Sequence, residues 1–151
     1  YFKGALVLHT LRSVIGREKT IDLLRRFVYP TEDARTTTDG RQCRHVTTAD
    51  FVQLAEEVAG RQLDGFFSVY LYQEELPRIE MRRSDRRTVT LRWTQTGGAP
   101  FEVPVPVQVD GTLQRVDMDG GEGTLTVDPD ASVIVDPQRE LLTAPPETSQ
   151  P

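Results

Sequence analysis

The sequence predicts an α+β protein in which an N-terminal helical segment precedes a small antiparallel β-sandwich. Apolar residues recur with the period of a helix up to residue 76. From residue 78 to residue 142 they alternate with polar residues instead, and turn residues separate the short runs at the spacing typical of a sandwich. We therefore expect helices within residues 1–76, the sandwich over residues 77–142, and a disordered tail or linker over residues 143–151.

Broad apolar faces predict the first two helices. Lys3–Ile15 is apolar on most sides, and Gly16 follows it where a left-handed C-terminal cap is expected. The second helix begins at Thr20 or slightly earlier and ends before Pro30, because proline cannot continue a helix. Residues 30–46 show no periodicity, so we expect a long surface loop there.

Two further helices complete the helical half. We expect Thr48 to cap the third helix and Gly60 to end it. The fourth helix runs from Leu63 to about Tyr72, before Pro77. Its aromatic residues span one helical turn and are expected to pack the helices on the sandwich; they are Phe66, Phe67 and Tyr70.

The second half predicts five or six short strands. The longest alternation covers Phe101–Val109. Pro104 and Pro106 stand at the alternate positions, between the apolar residues. Because proline has no N–H to donate to a neighbouring strand, they predict an edge strand or a strand with outward gaps. Asp110-Gly111 then predicts a hairpin leading into the next strand.

Two charged runs between strands are interpreted as turns. The charges of Arg82–Arg87 point most naturally to water, so this run predicts a solvated turn. Asp117–Glu122 has the acidic character of a calcium loop. However, Gly121 stands where an EF-hand needs Asp or Asn, and no helices flank the run, so it predicts a hairpin turn.

Charge and residue counts exclude several classes of protein. The net charge of −5, from 18 basic and 23 acidic residues, argues against nucleic acids and anionic membranes as partners. No stretch approaches the ~20 apolar residues that a bilayer-spanning helix needs. Cys43 has no second cysteine for an internal disulfide. His9 and His45 lie far apart without zinc-ligand spacing, so we expect no metal site in this segment.

A series of short motifs follows one another along the chain. In order, they are Tyr1-Phe2-Lys3-Gly4-Ala5, Val7-Leu8-His9, Leu11-Arg12, Ile15-Gly16, Thr48-Ala49-Asp50-Phe51, Ala59-Gly60, Leu63-Asp64, Phe66-Phe67, Tyr70-Leu71-Tyr72, Leu76-Pro77, Val135-Asp136-Pro137 and Leu141-Leu142. In this order the chain resembles the C-terminal part of the alanyl-aminopeptidase type of HExxH gluzincin zinc metallopeptidases, which includes aminopeptidase N and leukotriene-A hydrolase. The resemblance covers about residues 1–142 and implies that the helices end a thermolysin-like catalytic domain, which the sandwich follows.

The resemblance implies one catalytic residue in this chain. In that family, zinc held by the HExxH histidines and a distant glutamate activates water, with the HExxH glutamate as general base, and the peptide bond after a free N-terminal residue is hydrolysed. The tyrosine of the Y-x-K-G segment donates its phenol hydrogen to the oxyanion of the tetrahedral intermediate, and that position is Tyr1 here. A phenol with a pKa of about 10 stays protonated at neutral pH. The zinc ligands would precede residue 1, so the segment alone is expected to bind no zinc and to be inactive.

Two other interpretations remain open. The chain could come from a non-catalytic relative that serves only protein–protein contact, or be an unrelated α+β domain whose motifs match by coincidence. Under the enzyme interpretation, the partners are the peptide substrate and the missing N-terminal part of the catalytic domain. The apolar first helix would then leave an exposed face through which the segment could oligomerise.

Overall fold

The computed structural model describes residues 2–145 and confirms the α+β class. Five helices precede six strands, and the strands form two antiparallel sheets of three strands each. These residues divide into two compact units, one of residues 2–10 and 64–145 and the other of residues 11–63. Within the described range, no helix combines the length and the apolar character that crossing a membrane requires. The domain boundary after residue 76 and a strict sandwich arrangement of the sheets stay predictions.

The helices agree with the sequence apart from a few positions. Their bounds are α1 (Phe2–Ile15), α2 (Arg17–Val28), α3 (Glu32–Thr36), α4 (Thr48–Ala59) and α5 (Asp64–Tyr72). The short α3 lies inside the predicted loop, where Thr31 caps it by accepting a hydrogen bond from the Ala34 N–H. Gly16 has a φ of 89° but an extended ψ of 158°, so the expected left-handed helical cap is wrong, and this glycine instead precedes α2 as its N-cap.

The cap of α4 lies one residue earlier than predicted. Thr47, not Thr48, accepts from the Asp50 N–H, and the Asp50 carboxylate accepts from the Thr47 N–H at 2.7 Å, which completes a capping box. These hydrogen bonds from Thr47, the backbone one first, lower the pKa of Asp50 below its ordinary value. Gly60 ends the helix in the left-handed conformation, as predicted, with a φ of 73°.

In the unit of residues 11–63, α2 packs against α4. The rings of Phe27 and Phe51 meet edge to face with centroids 5.1 Å apart. Arg44 stacks over the Phe27 ring and also donates to the Phe27 carbonyl at 2.7 Å. The Lys19 ammonium donates to the carbonyl of Ala59 at the end of α4. The ring pair and these cation–carbonyl hydrogen bonds therefore add to the burial of apolar side chains such as Leu23 and Ala55 in holding this unit together.

The two sheets lie in the other unit. The strands are β1 (Arg78–Arg83), β2 (Thr88–Thr94), β3 (Val105–Val109), β4 (Thr112–Val116), β5 (Glu122–Thr126) and β6 (Val133–Val135). The first sheet has the order β1-β2-β5 and the second the order β4-β3-β6. The hairpin at Asp110-Gly111 is confirmed, since β3 and β4 pair antiparallel across it.

The structure decides between the two interpretations of the long alternation. β3 covers only its second half and is the central strand of its sheet, which excludes the edge interpretation. The three-residue β6 pairs with β3 only from Val107 to Val109, so Pro106 lies outside this pairing and is tolerated, and its carbonyl accepts from the Asp136 N–H.

The acidic run Asp117–Glu122 contains the predicted tight turn. An antiparallel bridge between Asp119 and Glu122 closes it, although the strands on either side, β4 and β5, belong to different sheets.

An aromatic chain joins α5 to the first sheet. The Tyr70 ring contacts the Phe101 ring at 5.5 Å, and Phe101 contacts Trp93 of β2 at 4.8 Å, both edge to face. The Trp93 indole N–H donates to the Val103 carbonyl at 2.9 Å. Tyr70 of the aromatic helix is therefore linked to β2 through Phe101, while the packing of the whole aromatic group on a sandwich stays a prediction. The other buried side chains that the sheets contribute include Val89, Leu91, Val105 and Val107.

Gly65 of α5 allows the closest backbone approach in this unit. A Cβ on Gly65 would lie 1.8 Å from the Pro100 carbonyl oxygen, which is far inside van der Waals contact. The carbonyl belongs to the segment that leads into Phe101, so the glycine lets α5 lie directly against that segment. By contrast, a Cβ on Gly4 of α1 would meet nothing within 4 Å.

Candidate functional site

Tyr1, the one predicted catalytic residue, lies outside the described residues. The structure begins with α1, which follows it directly. Lys3 of this helix donates from its ammonium to the Gln73 carbonyl at 3.1 Å, and the Gln73 side chain donates to the Thr96 carbonyl at 2.6 Å. The start of α1 is therefore tied to the end of α5 and to the loop after β2.

A buried hydroxyl anchors α1 further along the helix. Thr10 is fully buried; its Oγ1 donates to the Leu6 carbonyl at 3.1 Å and accepts from the Leu142 N–H at 2.9 Å. The Tyr70 hydroxyl donates to the Leu142 carbonyl at 2.9 Å. Both backbone groups of Leu142 are thus bound by side chains of two different helices.

The environment of Tyr70 fixes its chemical state. Burial raises the pKa of the Tyr70 phenol well above its ordinary value, and the nearby Asp136 carboxylate adds to this effect. The phenol therefore remains protonated across the physiological range. Because its hydrogen is already donated to the Leu142 carbonyl, Tyr70 and Thr10 are structural groups that hold α1, α5 and the C-terminal segment together.

The role of Thr10 can be tested against a second buried helical threonine. Thr10→Val leaves the Leu142 N–H without its acceptor, so we expect the free energy of unfolding to fall by about 1–3 kcal/mol. The Thr20 hydroxyl also donates to the carbonyl four residues earlier, that of Gly16. When this hydroxyl is removed, the Gly16 carbonyl still accepts from the Thr20 backbone N–H. Thr20→Val should therefore cost less than about 1 kcal/mol. Urea unfolding of both variants measures the difference, and equal losses would contradict the anchoring role.

Large apolar side chains near the start of α1 are exposed. Phe2 and Leu6, one helical turn apart, are 84% and 48% exposed. At the end of α5, Leu71 and Tyr72 are 39% and 73% exposed. These four side chains belong to the same unit of the chain. The sequence predicted that the apolar first helix would be left partly uncovered, and the exposures of Phe2 and Leu6 agree with this, while oligomerisation through that face stays a prediction.

The other residues considered from the sequence do not form a site. His9 and Cys43 are both exposed. Within residues 2–145, no group of three or more His, Cys, Asp or Glu side chains is placed to hold a metal ion. The prediction of a turn over Arg82–Arg87 is wrong for its first two residues, which belong to β1, and holds only from Ser84 to Arg87. In this turn the Asp85 carboxylate accepts from the N–H groups of Arg87 and Thr88, and these hydrogen bonds lower the pKa of Asp85.

An open cleft beside β1 was not predicted from the sequence. It has a volume of about 820 Å³ and is lined by the start of β1, the end of β6 and the segment after it, including Arg139 and Leu141. Asp136 and Arg139 both have positive φ there, at 45° and 53°. The Asp136 carboxylate accepts from the N–H groups of Glu140 and Leu141, which accounts for the turn. No motif signals the cleft, since it depends on how the ends of two sheets are placed.

Comparison with known proteins adds no family assignment. The fold defines the chain as an α+β protein with two small antiparallel sheets. No protein-family model matches the chain, and no curated protein matches it. The aminopeptidase resemblance therefore rests on the sequence motifs alone.

Proposed function

We propose that this chain is the C-terminal part of a zinc-dependent aminopeptidase, which releases N-terminal residues from peptides, and that Tyr1 is its oxyanion donor. The observation that carries the proposal is the ordered motif series that begins with Tyr1-Phe2-Lys3-Gly4-Ala5. The exposed Phe2 and Leu6 support it, because side chains of this kind next to Tyr1 suit a helix that the rest of a catalytic domain covers.

The role of Tyr1 follows from the chemistry of a phenol. As a neutral donor it can hydrogen-bond to the negative oxygen that develops during peptide hydrolysis without first losing or gaining a proton. The anchoring of α1 at Lys3 and Thr10 would fix the position of the residue that precedes the helix. Such fixed placement matters because a donor stabilises the oxyanion only at hydrogen-bond distance.

Zinc enters the proposal only through the parent polypeptide. In the family that the chain resembles, the HExxH motif precedes the Y-x-K-G segment, so we place the zinc ligands and the general base before residue 1. In the parent, zinc would polarise the substrate carbonyl and activate water. The 151-residue segment alone is expected to be inactive.

The test is aminopeptidase activity of the full-length parent towards alanyl- and leucyl-anilides, together with its zinc content. Tyr1→Phe should lower kcat by about 10²-fold or more with zinc still bound, since a lost oxyanion donor has an effect of that size. Tyr72→Phe is the matched control, because it removes the same hydroxyl from an exposed tyrosine at the end of α5. It should leave kcat unchanged.

Each other result has a definite meaning. A parent that neither binds zinc nor cleaves the anilides would favour the alternative of a non-catalytic scaffold with a peptidase-like fold. A parent that cleaves them equally well with Tyr1→Phe would keep the aminopeptidase proposal and remove Tyr1 from its mechanism.

A further inference from the structure

The strand β1 lies at an edge of its sheet, and its pairing with β2 determines which of its backbone N–H and C=O groups point away from the sheet. The Ser84 N–H donates to the Thr88 carbonyl, so the residues of β1 that bond to β2 are the even-numbered ones. The N–H and C=O groups of Ile79, Met81 and Arg83 therefore point away from the sheet. The pairing on the other side of β2 is consistent with this assignment, because there the N–H of the odd-numbered Trp93 donates to the Gly121 carbonyl.

Only the first position on this outward edge is occupied by the chain itself, within the residues that the structure describes. The Pro77 carbonyl accepts from the Ala144 N–H at 2.9 Å, and the Arg78 side chain donates to the Pro145 carbonyl at 2.9 Å. Within residues 2–145, the outward backbone groups of Ile79, Met81 and Arg83 have no hydrogen-bond partner. The open cleft beside the start of β1 leaves room next to Ile79.

The two faces of β1 carry different side chains. Ile79 and Met81 stand directly opposite Trp93 and Leu91, so they lie on the face that looks into the core, yet Met81 is 50% exposed. The other face carries Glu80 and Arg82, both exposed or partly exposed. A strand added to this edge would meet apolar side chains on one face and charges of both signs on the other.

We propose that β1 pairs with β1 of a second copy of this chain, antiparallel about a two-fold axis at Met81. In this register Met81 faces Met81 and Ile79 faces Arg83, so the outward residues of both strands meet and each pair exchanges two hydrogen bonds. The same register places Glu80 opposite Arg82 of the second copy, and Arg82 opposite Glu80 of the second copy.

The charges favour a second copy as the partner. Edge strands that are protected against pairing carry charges that repel an added strand. Here a two-fold axis at Met81 places Glu80 of each copy opposite Arg82 of the other, so opposite charges meet twice across the interface. The Arg83 guanidinium already donates to the carbonyls of Pro129 and Ala131 at 2.7 and 2.8 Å. Its charge is therefore held within its own copy, and its aliphatic stem remains for contact with Ile79 of the other.

The test is sedimentation velocity of the 151-residue chain over a series of concentrations. One pair of short strands buries less than the ~1,600 Å² of a standard interface, so the dimer should be weak and should appear in the micromolar range or above. Glu80→Arg and Arg82→Glu each create two like-charge pairs and should weaken dimerisation by about tenfold or more. Glu74→Arg, an equal charge change at an exposed residue outside the strands, should leave it unchanged.

Mixing the two variants separates lost pairing from lost folding. The Glu80→Arg chain and the Arg82→Glu chain have complementary edges, so an equimolar mixture should dimerise as well as the wild type does, and so should the double variant. A monomeric wild type, a mixture without recovery, or an equal loss with Glu74→Arg would overturn the proposal. Dimerisation that survives Glu80→Arg but is lost with Leu6→Glu would overturn it too, by assigning the contact to the exposed residues of α1.

Discussion

Gly65→Ala should lower the free energy of unfolding by about 3 kcal/mol or more, while the same substitution at Gly4 should raise it. The methyl group added at Gly65 would have to occupy the space of the Pro100 carbonyl oxygen, and a backbone group cannot move aside as a flexible side chain can. Gly4 also lies in a helix, but in open space. There alanine adds helix propensity of about 0.5–1 kcal/mol without a clash.

Thermal unfolding followed by far-UV circular dichroism measures both variants. For a chain of this length, about 1 kcal/mol corresponds to a shift in Tm of roughly 2–4 °C, so the two shifts should be clearly opposite in sign. The Gly65 backbone does not have a positive φ, so conformational strain cannot explain a loss there. A similar rise in Tm for both substitutions would mean that α5 does not approach the segment before Phe101 as closely as described.

Phe101→Ala should cost about 3–5 kcal/mol, the largest effect of any side-chain truncation considered for this chain. Phe101 is 1% exposed and lies between the rings of Tyr70 and Trp93, so its removal leaves a cavity that α5 and β2 cannot both close. Phe101→Leu retains most of the volume and should cost less than about 2 kcal/mol. Phe2→Ala, at an exposed phenylalanine, should change stability by no more than about 0.5 kcal/mol.

Urea unfolding measures these three variants, and the fluorescence of Trp93 reports on the cavity directly, because it is the only tryptophan in the chain. Loss of the Phe101 ring should expose the indole to water and shift its emission to longer wavelength. Equal costs for Phe101→Ala and Phe2→Ala, with unchanged emission, would contradict the central position of Phe101 in this core.

The sequence predicted the helices well because their signals are local. Gly60, Pro30 and the apolar spacing within α4 act through neighbouring residues, so no knowledge of the rest of the fold is needed. The fold class was predictable for the same reason. The change from a period of about 3.6 to a period of about 2 near residue 78 appears in the sequence before any contact between distant residues is considered.

Features that depend on distant residues were missed. The prolines in Phe101–Val109 predicted an edge strand or a strand with outward gaps, and the sequence could not decide between them. The position of β3 in its sheet depends on β6, which lies more than twenty residues further along the chain. The close approach at Gly65 likewise depends on Pro100, and glycine in a helix gives no sign of which backbone lies beside it. The short α3 was hidden because it buries no residue and so has no apolar periodicity.

The candidate sites divide in the same way. Tyr1 could be named only through the motif it opens, and its position is outside the described residues. The alternation of Ile79 and Met81 with Glu80 and Arg82 was available in the sequence, but the neighbouring arginines were interpreted as a turn. Which groups of β1 remain unpaired becomes known only when the sheet order places β1 at an edge.

The hydrogen bond between Thr10 and Leu142 also sets an order of events during synthesis. It joins residues 132 positions apart, and of the elements described here α1 is made first. At about 5–20 residues per second, the ribosome adds Leu142 on the order of ten seconds after Thr10. Throughout that interval Thr10 lacks its partner at Leu142, and the exposed Leu6 lies one turn away. The unit of residues 2–10 and 64–145 can therefore close only after its last segment has left the ribosome.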